Sequence, residues 1–174
     1  MPNTFASTDP GDLFVIRNVG NLIPKCGSGG HSSADESEAA AIEFAILNLK
    51  VSDIVVCGHS DCGAMHALVH GRSRVQAPNL RAWLRHGEQA LNKLTDTAAG
   101  LSRVNQLSRF NVLQQLEHLR SYPVVQERLA ANQLKLHAWW FQLSTANVYA
   151  YEEAEEKFVL IDEVQAERIL ARMS

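Results

Sequence analysis

The run Asp53-Ile54-Val55-Val56-Cys57 constrains the fold more than any other feature of this chain. After its first residue it is apolar and rich in β-branched side chains, and it stops at Gly58. A strand with one wet face alternates polar and apolar residues. A run without alternation reads as a strand covered on both faces, the situation of a parallel sheet. Parallel neighbours need long, usually helical crossovers, so the flanking sequence should be helical. Upstream, Ile42, Ala45, Ile46 and Leu49 recur at i, i+3, i+4 and i+7, one apolar helix face. Ser33, Asp35 and Ser37 compete to cap that helix. Downstream, Ser60–Val69 reads as helix, Asn79 opens a helix through Leu94 that Gly87 weakens, and Ser102 opens a long one to Arg120. Pro123 suits the first turn of a further helix ending near Asn132.

Two more apolar runs read as strands: Asp12–Ile16 (DLFVI) and Leu134–Leu143 (LKLHAWWFQL), the latter with Trp139-Trp140-Phe141 buried on both faces. Between the first run and the helix at Ile42, Asn18–Gly30 is rich in glycine and reads as a loop. Val148–Tyr151 and Phe158–Ile161 flank an acidic turn, a hairpin pattern. Ala166, Ile169, Leu170 and Met173 mark one face of a C-terminal helix. The expected architecture is a single α/β domain over residues 1–174. Its mainly parallel β-sheet is flanked by helices and followed by a C-terminal hairpin and helix.

Composition narrows the function. With 46% hydrophobic and 20% charged residues, a chain of 174 can bury a real core. Lys and Arg number 16 against 19 Asp and Glu, a net charge of −3, so nucleic acid is not an expected partner. Nothing approaches the ~18 apolar residues of a membrane span, and the polar start does not resemble a secretory signal. Three cysteines, Cys26, Cys57 and Cys62, are too few and too odd in number for a disulfide scaffold. The expected setting is reducing and cytoplasmic, with these sulfurs acting as thiols or metal ligands.

The chemistry concentrates in Val55-Val56-Cys57-Gly58-His59-Ser60-Asp61-Cys62-Gly63. Sites of open parallel sheets lie beyond the carboxyl ends of the strands, and His59 is two residues past such an end. Cys62 falls in the first turn of the next helix, where the helix dipole and free amides favour a thiolate. An imidazole and a thiolate this close suit zinc. Gly58 permits a sharp turn, and Gly63 leaves an amide open to a small ligand. Two donors are fewer than a zinc site needs, so a packed histidine beside a buried thiol is an equal reading of the spacing. Cys57 reads as a core residue and Cys26 as an incidental loop thiol. The glycines at 27–30 lack the Gly-Lys-Ser/Thr of a phosphate loop.

These residues, in this order, resemble the β-class carbonic anhydrases. The likeness is carried by GDLFVIRNVGNLIP (Gly11–Pro24), by SEAAAIEFAILNLKVSDIVVCGHSDCGAM (Ser37–Met65) and by NVLQQLEHLRSYPVV (Asn111–Val125). LKLHAWWFQLSTANVYAY (Leu134–Tyr151) and KFVLID (Lys157–Asp162) extend it over nearly the whole chain. The resemblance implies a zinc enzyme interconverting carbon dioxide and bicarbonate, assembled as a homodimer or a multiple of dimers. It implies zinc held by two cysteines and one histidine, with His59 and Cys62 as two of the three, and the Gly63 backbone near the substrate. What zinc supplies in such enzymes is a bound water acidic enough to react near neutral pH.

One family element has no counterpart. The family carries a Cys-x-Asp-Ser-Arg motif at the end of its first strand, and this sequence starts at Met1-Pro2, where that motif would just have ended. The missing strand would leave Asp12–Ile16 and Asp53–Cys57 facing a gap. Three accounts fit: a fragment or misassigned start, a natural short form that binds or partners an intact subunit, and a site rebuilt with Cys26, Cys57 or a group from a second chain. The expected function is zinc-dependent CO2 hydration, weak in this chain alone. The alternatives are a non-catalytic subunit and a carbonyl sulfide or carbon disulfide hydrolase on the same scaffold.

Overall fold

Helix α1 (Ser37–Leu47) buries Ala39, Ile42, Ala45 and Ile46, the face expected from their spacing. Leu49 lies past its end and is exposed. The computed structural model describes residues 8–34, 36–95 and 100–173, with side chains described through residue 169, so the cap expected at Asp35 and the packing of Leu170 and Met173 lie outside the described residues. From α1 the chain enters β1 (Asp53–His59). Four helices lie between β1 and the next strand, the first three being α2 (Gly63–Val69), α3 (Pro78–Trp83) and the long α4 (Arg103–Arg120). Ser102 caps α4 as expected, its hydroxyl accepting the Asn105 amide at 3.2 Å. The helix expected from Asn79 to Leu94 is divided. Pro78 starts α3, and Leu84–Lys93 tightens into 3₁₀ geometry. Short α5 (Pro123–Ala130) then leads to β2 (Lys135–Gln142).

β1 and β2 run parallel, in register from Asp53–Lys135 to His59–Phe141. The Asp53 carboxylate accepts from His137 Nε2 at 2.8 Å across this pair, which ties the register. β3 (Asn147–Glu152) is antiparallel to β2, and β4 (Lys157–Leu160) to β3. The last two strands form the expected hairpin around an acidic 3₁₀ turn, and α6 (Glu163–Met173) closes the chain. The α/β class is as expected, but the sheet is mixed, in the order β1-β2-β3-β4. The hairpin strands account for this, because a short turn can join only antiparallel neighbours.

Two further expectations are corrected. Asp12–Ile16 forms no strand among the described residues: a turn covers its start, and Leu13, Phe14, Val15 and Ile16 lie 40–48% exposed. An apolar run stays in a ladder only if a neighbour accepts its backbone groups. The described sheet ends at β1, and none of its strands pairs with this run. Phe14 instead rests against Phe44 of α1, ring centroids 5.9 Å apart. The strands are also covered mainly on one face. Val56 and Gly58 pair with Ala138 and Trp140, all buried toward α4, whereas Val55 is exposed and Trp139 and Phe141 are only half-buried.

The Asn18–Gly30 loop is tied down from within and from α4. The Asn18 side chain closes on Leu22, donating to its carbonyl at 2.8 Å and accepting its amide at 2.9 Å. Gln115 of α4 is fully buried; its oxygen accepts the Ile23 amide at 2.8 Å and its amide donates to Asn111 Oδ1 at 2.9 Å. Asn111 in turn donates to the Gly20 carbonyl at 3.0 Å. Paired in this way, polar side chains inside α4 cost little and fix the loop against the helix.

Candidate metal centre

The carboxyl end of β1 is joined to α2 by a turn that is fixed residue by residue. The Ser60 amide donates to the Phe141 carbonyl at 2.9 Å, continuing the ladder one step past β1. Ser60 Oγ accepts the Leu143 amide at 3.0 Å. Asp61 adopts the left-handed conformation (φ 53°), which stops the helix that Ser60–Val69 was expected to form throughout. Its amide donates to Asn105 Oδ1 at 2.8 Å. Cys62 therefore sits at the N-cap of α2, one residue before the first turn expected for it, and is 3% exposed.

This turn brings His59 and Cys62 together. His59 Nδ1 lies 2.8 Å from the Ser60 carbonyl. A carbonyl only accepts, so Nδ1 carries a proton and Nε2 is the ring nitrogen left for Cys62. The hydrogen bond with Cys62 is the main influence raising the His59 pKa, with the Ser60 carbonyl assisting and burial opposing. At Cys62 burial pushes the thiol up, but the bonds from His59 and from the Met65 and Ala64 amides outweigh it and the pKa falls. The pair is polarised toward thiolate and imidazolium, the arrangement a soft cation would replace by occupying the proton's place. A β-carbon on Gly63 would meet nothing within 4 Å, so the space outside this residue is open.

The donor chemistry suits zinc; the donor number does not. Among the described residues no group of three His, Cys, Asp or Glu side chains could hold a metal ion. Neither Cys57 nor Cys26 completes the set, which removes them as the replacement ligands considered from sequence. Burial raises the Cys57 thiol to about 11, so it stays protonated. Cys26 lies in the loop, in an isolated bridge with Ser32. Three of the other histidines have structural surroundings: His118 Nδ1 is 2.6 Å from the Ile23 carbonyl, His137 pairs with Asp53, and His86 is buried against Trp83.

Sequence reasoning missed the residues that hold the turn from behind. Asn105 and Ser108 of α4 reach Asp61 and His59. The signal was present: after the Ser102 cap, the polar Asn105 and Ser108 stand at i and i+3 on the apolar helix face that Val112 continues at i+7.

A family model described as carbonic anhydrase matches residues 1–148. The β-carbonic anhydrase CcaA superposes with a TM-score of 0.83 at 36% identity, over 92% of this chain and 77% of that one. This chain belongs to the β-carbonic anhydrases. Carbonic anhydrase of Pseudomonas aeruginosa is 38% identical over 165 residues, covering 94% of this chain and 73% of the relative. That of Synechocystis is 36% identical over 162 residues, covering 91% of this chain and 57% of the relative, so the chain spans little more than half of it. A tetrameric β-carbonic anhydrase of Sordaria macrospora has a TM-score of 0.69 at 28% identity, over 85% of this chain and 72% of its own. The family is one of lyases, carbonate dehydratases that interconvert carbon dioxide and bicarbonate.

Proposed function

We propose that this chain carries one half of the zinc site of a β-carbonic anhydrase and acts in the hydration of CO2 to bicarbonate when that site is completed. His59 Nε2 and Cys62 Sγ are its two ligands, and the Gly63 backbone faces the substrate. The single observation that carries this reading is the turn that sets His59 at the carboxyl end of β1 and Cys62 at the N-cap of α2, each shifting the other toward its charged form. A third donor is required from outside the described residues, from elsewhere in the chain or from a partner in a homodimer or larger assembly. Three free thiols suit a reducing, cytoplasmic setting. Among the described residues no helix is long and apolar enough to cross a membrane.

The experiment is elemental analysis of zinc in the purified chain and in His59→Ala, with stopped-flow CO2 hydration on both. The expected result is less than one zinc per chain, loss of that zinc in the variant, and hydration barely above the uncatalysed rate. Full zinc occupancy with brisk hydration would show a complete cage and overturn the half-site. Zinc unaffected by His59→Ala would overturn the ligand assignment.

A second reading, a non-catalytic subunit that joins an intact relative, is favoured by the apolar surface at Leu13–Ile16, Leu47 and Val55. Co-purification with a longer relative, without any gain in hydration over that relative alone, would select it.

A further inference from the structure

We propose that Ser108 is a positioning residue for the His59–Cys62 pair: its hydroxyl, aimed by the Trp140 indole, holds the His59 carbonyl and so keeps the ring seated on the Ser60 carbonyl with Nε2 toward Cys62. The inference rests on the metal-site reading only for its purpose; the geometry stands apart from any metal.

Ser108 is 1% exposed, on the α4 face packed against β1. Its hydroxyl is 2.7 Å from the His59 carbonyl, and the Trp140 indole N–H reaches its oxygen at 3.1 Å. A serine hydroxyl has one proton to give. The indole can only donate, so the hydroxyl proton goes to His59. Chains of this kind polarise each other inside a protein, and each member is costly to leave unpaired. The approach depends on Gly58, where a β-carbon would stand 3.2 Å from Ser108 Oγ and 2.6 Å from Val112 Cγ2. With a side chain there, α4 would be pushed off β1 and the hydroxyl would lose its reach.

The consequence falls on the ring. His59 Nδ1 bonds the carbonyl of the very next residue, so that contact exists only while the peptide planes on either side of Ser60 keep their orientation. Ser108 fixes the plane before Ser60, and Asn105 fixes the one after it through the Asp61 amide. Second partners of this kind set which ring nitrogen of a histidine is presented to a ligand.

The test is solvent exchange of the His59 Nδ1 proton, followed by NMR on the metal-free full chain and assigned by its disappearance in His59→Gln. Ser108→Ala should speed exchange about fivefold, the worth of one net hydrogen bond. Val112→Ala opens the same packing without touching the polar chain, and should leave the exchange rate as it is even where it lowers stability equally. Trp140→Phe, which removes the indole N–H together with part of a buried ring, should speed exchange in the same direction by a smaller factor, and it serves if Ser108→Ala does not fold. Exchange unchanged in Ser108→Ala, or in Trp140→Phe where that variant serves, would overturn the proposal. So would an equal increase in Val112→Ala. Zinc content is independent of this readout: a chain that binds no zinc but shows the predicted exchange pattern sinks the metal reading and leaves the positioning role standing.

Discussion

Gly58 and Val112 meet as bare backbone against side chain, closely enough that a β-carbon on the glycine would lie 2.6 Å from Val112 Cγ2. The absence of that β-carbon lets α4 lie close on the carboxyl end of β1, with Asn105 and Ser108 at the turn that follows. Gly58→Ala is therefore expected to destabilise the chain by about 1–3 kcal/mol, the cost of overpacking a core that cannot yield. Urea unfolding measures it. A variant within about 0.5 kcal/mol of the parent would mean that α4 shifts freely and does not fix the turn.

The buried imidazole of His86 makes stability depend on pH. It is 8% exposed and its Nε2 has no hydrogen-bond partner. Burial, then Arg85 and His118, hold its pKa down to about 4. Unfolded, it titrates near ~6.5. Between those values the unfolded chain binds the proton and the folded one does not, so the contribution is complete above ~6.5 and is lost as pH falls toward the folded value. The expected loss from this group is about 2 kcal/mol at about pH 5. Unfolding free energies at neutral pH and at about pH 5 should differ less in His86→Leu than in the parent. An unchanged difference would assign the acid sensitivity elsewhere, with His118, also lowered by burial, as the next candidate.

Leu13–Ile16 is exposed and, among the described residues, the outer edge of β1 pairs with no strand, two features that favour self-association. Val15→Lys places a charge on that surface without removing a buried group. It should lower the sedimentation coefficient at high protein concentration while leaving the unfolding free energy within about 0.5 kcal/mol. Identical sedimentation of parent and variant would show that association, if present, uses another face.

What the sequence by itself determined is local or carried by the family pattern. The β-branched run ending at Gly58, the Ser102 cap, Pro123 at a first turn, the C-terminal hairpin and the His59-x-x-Cys62 spacing all depend on residues within a turn or a strand of each other, where backbone sterics and periodicity decide the outcome. Tertiary structure alone decided the rest. Asp12–Ile16 has the composition of a strand but lies outside any ladder, because pairing is a property of two segments and its own residues supply only one. Trp139 and Phe141 read as buried on both faces, yet burial depends on which helices arrive, and these cover the sheet mainly on one side. The pairing of His59 Nδ1 with the Ser60 carbonyl, the turn of Nε2 toward Cys62 and the exclusion of Cys26 and Cys57 from the site follow from backbone geometry. Asn105 and Ser108 hold that geometry from more than forty positions along the chain. Spacing put an imidazole and a sulfur near one another; only the packing of α4 against β1 aimed them.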